Sequence, residues 1–285
     1  MTGRQRGSDI RIRRPIAAIV LTVLFLAGLL AAVATAQWGR RWAPPRFPDP
    51  DFHANGFAFG RLMYRQVTSE PLGHGWNTDY PDGDQNLMIR LAELTRAHVR
   101  LDPHSGDPDH YVVAADSPEI FSFPFLFMSD SGTAGFDELE AANLREYLLR
   151  GGLLYADDFW GDSAWHHFAD QMAKVLPPEE YPLVDIPLDH PILHQLYDLE
   201  EIPQVPSIQF WSWGQGTSEL GVESAEPHFR GIFDRDGRIM VLATHNTDIA
   251  DGWEREGQSR EFFELFSLPA SYPMGINILI YALSH

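Results

Sequence analysis

Residues 136–158 read FDELEAANLREYLLRGGLLYADD, and this stretch decides the fold class. Residues 136–150 place apolar side chains on one side with acidic residues between them, which predicts an amphipathic helix. Gly151-Gly152 is typical of a helix end. Leu153–Ala156 is then a short apolar run that stops at Asp157, as a buried strand does. A helix that turns tightly into a buried strand favours a sheet covered by helices.

The rest of the chain alternates strands and helices in the same way, which predicts a three-layer α/β domain. Asp84 is placed to be the N-cap of the helix that follows it. Two prolines in residues 181–188 favour an edge strand there. Asp236-Gly237 is typical of a hairpin turn. Outside residues 136–158, strands are expected at 57–64, 110–114, 121–128, 181–188, 231–234 and 238–243, and helices at 85–96, 162–176 and 274–283.

Composition limits the functional classes. The chain has 285 residues, of which 44% are hydrophobic, so it can bury the core of one domain. Its formal net charge of −19 argues against a nucleic-acid partner, since phosphates require clustered Lys and Arg. There are no cysteines, which excludes disulfides, thiolate zinc sites and a cysteine nucleophile.

The N-terminus carries a localisation signal. Five arginines precede an uncharged, mostly apolar run at residues 16–34. As a helix this run is about 28 Å long, close to the hydrocarbon thickness of a bilayer. It predicts a single-pass anchor in the cell membrane, with the C-terminal domain periplasmic or extracellular. The alternative is a signal peptide, since Ala34-Thr35-Ala36 resembles a cleavage site and cleavage after Ala36 would release the protein to the periplasm.

The predicted organisation has three parts. Residues 1–36 form an Arg-rich stub followed by the transmembrane or signal helix. Residues 37–54 are rich in Pro, Arg and Trp and are expected to be a linker, and residues 55–285 form the α/β domain.

The most polar candidate site is residues 76–86, which read WNTDYPDGDQN. Asp79 and Asp84, with the amide of Asn86, offer the hard oxygen donors that Ca²⁺ and Mg²⁺ prefer. Their spacing does not match an EF-hand. The alternative is structural, with a turn at Asp82-Gly83 and Asp84 as a cap, but Asp79 has no such role.

Two further places carry chemistry. Asp157-Asp158 follows a strand and could hold a metal or supply a general base, or instead form a turn before the next helix. His190 and His194 stand four residues apart. With Asp189, or with His245 and Asp248, they could bind zinc or another transition metal, or they could simply pack.

Aromatic residues offer another mode of recognition. Trp211 and Trp213, beside glycines, could stack on sugar rings, with core packing as the alternative. The chain has no dinucleotide fingerprint, phosphate-cradling loop or nucleophile elbow, which argues against nucleotide cofactors and serine-hydrolase chemistry.

Motifs across residues 55–284 resemble bacterial domain of unknown function family 4159. The quoted motifs are Phe57-x-x-x-Arg61-Leu62-x-Tyr64, Trp76-x-x-Asp79-Tyr-Pro-x-x-Asp84-x-Asn86-Leu87, Phe123-Pro-Phe-Leu-Phe127, Leu144-Arg-x-Tyr-Leu-x-x-Gly-Gly-x-Leu-x-x-Asp157-Asp158, Asp189-His-Pro-Ile192, Asn246-x-Asp248-x-x-x-x-Trp253-Glu254 and Gly275-x-Asn277-x-x-x-Tyr281-Ala282.

The helix–Gly-Gly–strand element is also similar to trehalose-utilisation-like proteins and to the class I glutamine-amidotransferase-like fold. This resemblance implies a flavodoxin-like sheet. It does not imply glutamine hydrolysis, because the chain has no cysteine nucleophile. The stretch Ser129–Gly132 also lacks the Gly-His pair expected at that loop.

Two functions are therefore expected. The first is a membrane-tethered envelope module that binds a protein partner or a glycan. The second is a carboxylate- or metal-dependent hydrolase of an envelope or carbohydrate substrate, with a divalent cation as the candidate cofactor. The catalytic candidates are Asp79, Asp84, Asp157, His190 and Asp248, and the ligand-binding candidates are Trp76, Asn86, Asp158, Asn246 and Trp253.

Overall fold

A computed structural model describes residues 43–50, 52, 55–214 and 216–285. The predicted membrane or signal helix and the cleavage site at Ala36 lie outside these residues. Pro45–His285 form one compact unit.

The centre of this unit is a seven-stranded, mostly parallel sheet. Its spatial order is β2-β1-β3-β4-β7-β6-β5. The first five strands in that order are parallel, whereas β6 is antiparallel to both β7 and β5. The strands are β1 Phe59–Met63, β2 His110–Ala114, β3 Phe125–Met128, β4 Leu153–Ala156, β5 Leu183–Asp185, β6 His228–Phe233 and β7 Ile239–His245.

Helices cover both faces of the sheet. They are α1 Asp82–Leu94, α2 Glu138–Leu149, α3 Gly161–Val175, α4 Ile208–Ser212, α5 Asp251–Glu254 and α6 Tyr272–Ser284. A short helix, Arg260–Phe262, and a nine-residue π-helix, Phe263–Ser271, lead into α6. Single 3₁₀ turns lie at Gly75–Asn77, Pro118–Ser122, Ser131–Thr133, Pro191–His194 and Gly221–Ser224, and a small antiparallel pair joins Arg65–Gln66 to Ala134–Gly135.

Strand alternation divides the apolar side chains into two cores. On β4, Leu154 and Ala156 face the core that α2 and α3 cover, whereas Leu153 and Tyr155 face the core that α1 and α6 cover. The central strands are apolar on both faces because helices cover both sides. The predicted layered α/β architecture is therefore confirmed.

Two local predictions were wrong. Asp84 is not a helix cap, because Pro81 holds that position and Asp84 is the third residue of α1. Its carboxylate is instead drawn to the buried guanidinium of Arg61. The strand predicted at 121–128 begins only at Phe125, because a 3₁₀ turn occupies Pro118–Ser122.

Other predictions hold. Leu153–Ala156 is a strand as expected, and α2 begins with a capping box at Asp137 and Glu140. The hairpin of β6 and β7 is antiparallel, and β5 lies at a sheet edge.

The last part of the predicted linker packs on the domain. The Val112 amide of edge strand β2 donates to the carbonyl of Arg46 at 2.8 Å. The Arg46 side chain forms ion pairs with Asp102 and Asp109, each at 2.7 Å. This segment therefore covers part of the β2 edge.

One helical segment of the described chain, Arg260–Ser284, is long and apolar enough to cross a membrane. Its most apolar window is 61% buried in the protein. Such burial is typical of a core helix, and α6 contributes Met274 and Ile276 to the core beside α1.

Candidate metal centre

Acidic side chains gather at one edge of the sheet, where the parallel strands end. Asp130 follows β3, Asp157 and Asp158 follow β4, and Asp248 follows β7. In open α/β sheets, ligands bind outside the carboxyl ends of the strands. The loop after β1 brings Asp79 to the same edge, where the Ser129 hydroxyl donates to Asp79 Oδ2 at 2.8 Å.

Three of these carboxylates form the centre of the cluster. Asp79, Asp248 and Asp251 each offer an oxygen, and the three oxygens lie within 4.8 Å of one another. All three residues are buried. Charges this close, removed from water, repel strongly unless a cation or protons neutralise them.

A buried ion pair positions Asp79. The Arg61 side chain binds both oxygens of Asp84 and is fully buried with it. Its Nη1 also donates to the carbonyl oxygens of Trp76, at 2.9 Å, and Thr78, at 2.7 Å. Arg61 therefore fixes the loop on both sides of residue 77 and brings Asp79 over the strand ends.

The other two members of the trio hold each other. The Asp251 amide donates to Asp248 Oδ1 at 2.8 Å. Asp251 Oδ2 accepts from the amide of Ile208 at 2.8 Å, and its Oδ1 accepts from Nε of Arg255 at 3.0 Å. These bonds hold Asp248 and Asp251 in fixed positions within the trio.

Asp157 is held from two sides. The Thr244 hydroxyl donates to Asp157 Oδ1, and the Ala250 amide donates to its Oδ2 at 2.9 Å. Burial raises the pKa of the Asp157 carboxyl to about 7. These two hydrogen bonds tie the end of β4 to residues 244 and 250, so Asp157 anchors the loop that carries Asp248.

Asp158 is less constrained. Its Oδ1 accepts a long hydrogen bond of 3.3 Å from Nε1 of Trp160. At 9% exposure it is the most accessible carboxylate of the cluster. Burial, and then the charge of Asp79, raise the pKa of Asp158 well above its ordinary value.

Burial and neighbouring negative charges also raise the pKa values of the trio. Burial raises the pKa of Asp79 and, more strongly, that of Asp248, where the charge of Asp158 adds to the effect. Burial also raises the pKa of Asp251 to about 7, against the opposing charge of Arg255. These carboxyl groups therefore favour protons, or a cation in their place, near neutral pH.

The backbone at this edge is also strained. Asp79, Asp130, Asp158 and Asn246 have φ angles of +65°, +48°, +55° and +63°. In the part of the chain that the structure describes, the one other non-glycine residue with positive φ is Leu72. Left-handed backbone at non-glycine residues is costly and concentrates at functional sites.

Two of the sequence-predicted catalytic residues lie outside the carboxylate cluster. Asp84 is occupied by Arg61. His190 packs against Phe233 and Tyr281, and its Nδ1 accepts from the Ile192 amide at 3.2 Å. Phe233, which His190 contacts, pairs with the first residue of β7, whereas Asp248 follows the last residue of that strand. His190 therefore lies near the opposite end of β7, about 20 Å from Asp248 along the strand.

Most of the predicted ligand-binding residues have structural contacts. The Asn86 amide donates to the carbonyl of Trp253, whose buried indole donates to the carbonyl of Ser271. Asn246 accepts from the Gly161 amide and donates to another backbone carbonyl. The Trp76 ring packs on Tyr80, so within this set Asp158 alone belongs to the carboxylate cluster.

Sequence reasoning missed two cluster members, Asp251 and Asp130. Asp251 follows Asp248 by three residues at the start of α5, a spacing that brings two carboxylates to one turn. That signal was available. Asp130 had no local signal, because its role depends on the strands beside β3.

Comparison with known proteins places the chain in a family. The chain matches the family described as domain of unknown function (DUF4159) over residues 58–283. The match covers most of the chain and nearly the whole compact unit, so this protein belongs to the DUF4159 family. A search of curated proteins found no match.

Proposed function

We propose that this protein is a divalent-cation-binding module, with the ion held by Asp79, Asp248 and Asp251. The observation that carries the proposal is the approach of three buried carboxylate oxygens to within 4.8 Å of one another. Burial, and then repulsion by neighbouring carboxylates, raise the pKa of Asp248, and an ion at the centre of the trio would offset both effects.

The donor set favours a hard cation. All three ligands are carboxylate oxygens, which suit Ca²⁺, Mg²⁺ or Mn²⁺ better than softer metals. The guanidinium of Arg255 pairs with Asp251 and Glu254 and offsets part of this charge.

We further propose that the bound ligand is a glycan or a partner protein of the cell envelope, with residues 16–34 as the membrane tether or signal. Trp213 supports a glycan, since the residue is 59% exposed, an unusual state for so large an aromatic residue. It lies at the end of α4, a helix about 7.5 Å long, whose first amide donates to Asp251.

The finer fold assignment is also a proposal. The parallel strands β1, β2, β3, β4 and β7 have the spatial order 2-1-3-4-5 when they are numbered among themselves. That order is characteristic of flavodoxin-like sheets, which bind ligands beside the first and third strands. It supports a flavodoxin-like and amidotransferase-like origin without the cysteine-dependent reaction.

A metal-dependent hydrolase is the second candidate function. The observation that favours it is Asp158, which at 9% exposure is the least buried carboxylate of the cluster, has a raised pKa and lies beside the trio. A bound cation would activate water and polarise a substrate oxygen, and Asp158 would accept the proton from that water.

Thermal-shift measurements and calorimetric titration of the full chain with Ca²⁺, Mg²⁺ and Mn²⁺ test the cation proposal. We expect saturable binding and a higher Tm for the wild type, and neither for Asp248→Asn or Asp79→Asn. Without a cation these variants should be at least as stable as the wild type, because one buried charge is gone. Asp170→Asn, an exposed residue of α3, is the matched control and should respond like the wild type. No cation response in the wild type would reject the proposal.

Two variants separate binding from catalysis. If the protein binds glycans, Trp213→Ala should weaken retention on polysaccharide in the presence of cation, while Asp158→Asn should not. If it is a hydrolase, Asp158→Asn should abolish cation-dependent release from ester and glycoside substrates, while Trp213→Ala should chiefly raise KM.

A further inference from the structure

A second acidic position lies beside the trio, between β3 and β4. Met128 and Ala156 are paired neighbours at the ends of these parallel strands. Asp130 and Asp158 each lie two residues beyond that pair and both have left-handed backbone. Adjacent strands are about 4.8 Å apart. The backbone positions that carry the two carboxylates are therefore equivalent and neighbouring.

An unpartnered oxygen points to a ligand here. Asp130 is 1% exposed, and its Oδ2 accepts from the Gly75 amide at 2.5 Å. Its Oδ1 is buried and has no hydrogen-bond partner among the described residues. A buried polar atom without a partner costs free energy, and an unrecorded ion or water is a usual explanation.

The charge balance points the same way. In the described part of the chain, Arg61 is paired with Asp84, and Arg255 with Asp251 and Glu254. No ion pair is formed there by the buried carboxylates Asp79, Asp130, Asp157, Asp158 and Asp248. One divalent ion offsets two of these negative charges. The remaining carboxylates would still carry excess negative charge, which a second ion would reduce.

We propose that Asp130 and Asp158 hold a second divalent cation, adjacent to the ion of the Asp79–Asp248–Asp251 trio. This inference rests on the proposed function. Among the described residues, Asp79, Asp248 and Asp251 are the set of three carboxylates whose oxygens lie within 4.8 Å of one another. The second ion, held by Asp130 and Asp158, would therefore have fewer protein ligands than the first. The remaining positions would be filled by water, as Mg²⁺ and Mn²⁺ favour.

Two adjacent ions also define a substrate class. Paired metals, typically about 3.5–4 Å apart, stabilise the attacking and the leaving oxygen of an in-line displacement, as in phosphatases and nucleases. The second ion therefore favours a phosphate ester as the substrate of the hydrolase candidate. In this two-ion form Asp158 is a metal ligand, so the ions and not Asp158 would activate the water nucleophile. The ester oxygen would leave as an alcohol, with the proton that the water loses.

Mn²⁺ is the probe for the test, because metal analysis counts it and electron paramagnetic resonance detects coupling between neighbouring ions. After dialysis of the full chain against Mn²⁺, we expect two ions per wild-type chain with a spin-coupled signal. Asp130→Asn should retain one uncoupled ion, and the control Asp170→Asn should retain two.

The outcomes are distinct. One uncoupled ion in the wild type overturns the second site and leaves the proposed function standing, whereas no bound ion overturns both. Two ions retained by Asp130→Asn overturn the location assigned here. If circular dichroism shows that Asp130→Asn is unfolded, Asp158→Asn replaces it, and loss of one ion and of the coupling is again expected.

Discussion

Arg61 shows how one residue can position a site without touching its ligand. The guanidinium is sealed in the protein, bound to Asp84 and to two carbonyls of the loop that carries Asp79. Replacing a buried pair with apolar groups is often tolerated, but removing one partner leaves an uncompensated charge. The effect of Arg61 on the site should therefore be visible in both stability and cation binding.

We expect Arg61→Met to lower the free energy of unfolding by about 3–5 kcal/mol, because Asp84 would be left buried and unpaired. Urea denaturation measures this loss. Arg65→Met is the control, since its ion pair with Glu140 is on the surface and should contribute little to the free energy of unfolding. A similar loss in both variants would contradict the role assigned to Arg61.

Individual site residues were only partly predictable from sequence. Asp79 and Asp158 stood out because each is a carboxylate in a loop after a strand, with no complete structural explanation. His190 attracted attention because of its spacing from His194, but that spacing says nothing about which sheet edge the segment reaches. The structure places it beside Tyr281, at the opposite edge.

At the scale of elements, two glycines show how tightly α1, α5 and α6 pack. A Cβ added to Gly275 of α6 would lie 2.5 Å from Cζ2 of Trp253. A Cβ added to Gly83 of α1 would have its nearest contact at 3.4 Å, with Cβ of Asp79. The first site has no room for a methyl group, whereas the second does.

We therefore expect Gly275→Ala to destabilise the protein by about 1–3 kcal/mol through overpacking. Gly83→Ala, also within a helix, should be neutral or stabilising by up to about 1 kcal/mol, since alanine favours helix. Chemical denaturation of both variants makes the comparison. A destabilised Gly83→Ala with an unaffected Gly275→Ala would show that this packing is misassigned.

Strongly periodic elements were predictable, and their ends were less so. Residues 138–149 and 153–156 form a helix and a strand because amphipathic and apolar runs determine local structure. The start of α1 was placed three residues late, because the tertiary attraction of Arg61 for Asp84 is invisible in the local pattern. The π-helix Phe263–Ser271 gave no recognised signal.

At the scale of the whole molecule, the acidic edge links proton binding to folding. Burial raises the pKa of Asp130, Asp157 and Asp251 from 3.8 to about 7. Between these values the folded, metal-free protein binds more protons than the unfolded chain. Its free energy of unfolding should therefore fall as the pH rises from about 4 to about 7.

Bound cation should remove this dependence, because it takes the place of the protons. We expect the increase in Tm produced by Mg²⁺ or Ca²⁺ to be small at pH 5 and larger at pH 7.5. Differential scanning calorimetry of the full chain at both pH values measures it. In Asp248→Asn the increase should be absent at either pH. An equal increase at both pH values in the wild type would show that the cation binds elsewhere.

The layered architecture followed from the sequence because alternating strands and helices leave few ways to bury both faces of a sheet. The strand order, however, depends on long-range pairing. That order brings the loops after β1, β3, β4 and β7 to one edge, and so unites Asp79 with Asp248 across 169 residues of chain. This approach of residues that are distant in sequence can be recognised only when the three-dimensional strand order is known.

Diffraction from crystals grown with Mn²⁺ tests the central claim most directly. We expect an anomalous difference peak coordinated by the carboxylate oxygens of Asp79, Asp248 and Asp251, absent from crystals of Asp248→Asn. A wild-type structure at saturating Mn²⁺ with no peak at the trio would contradict it.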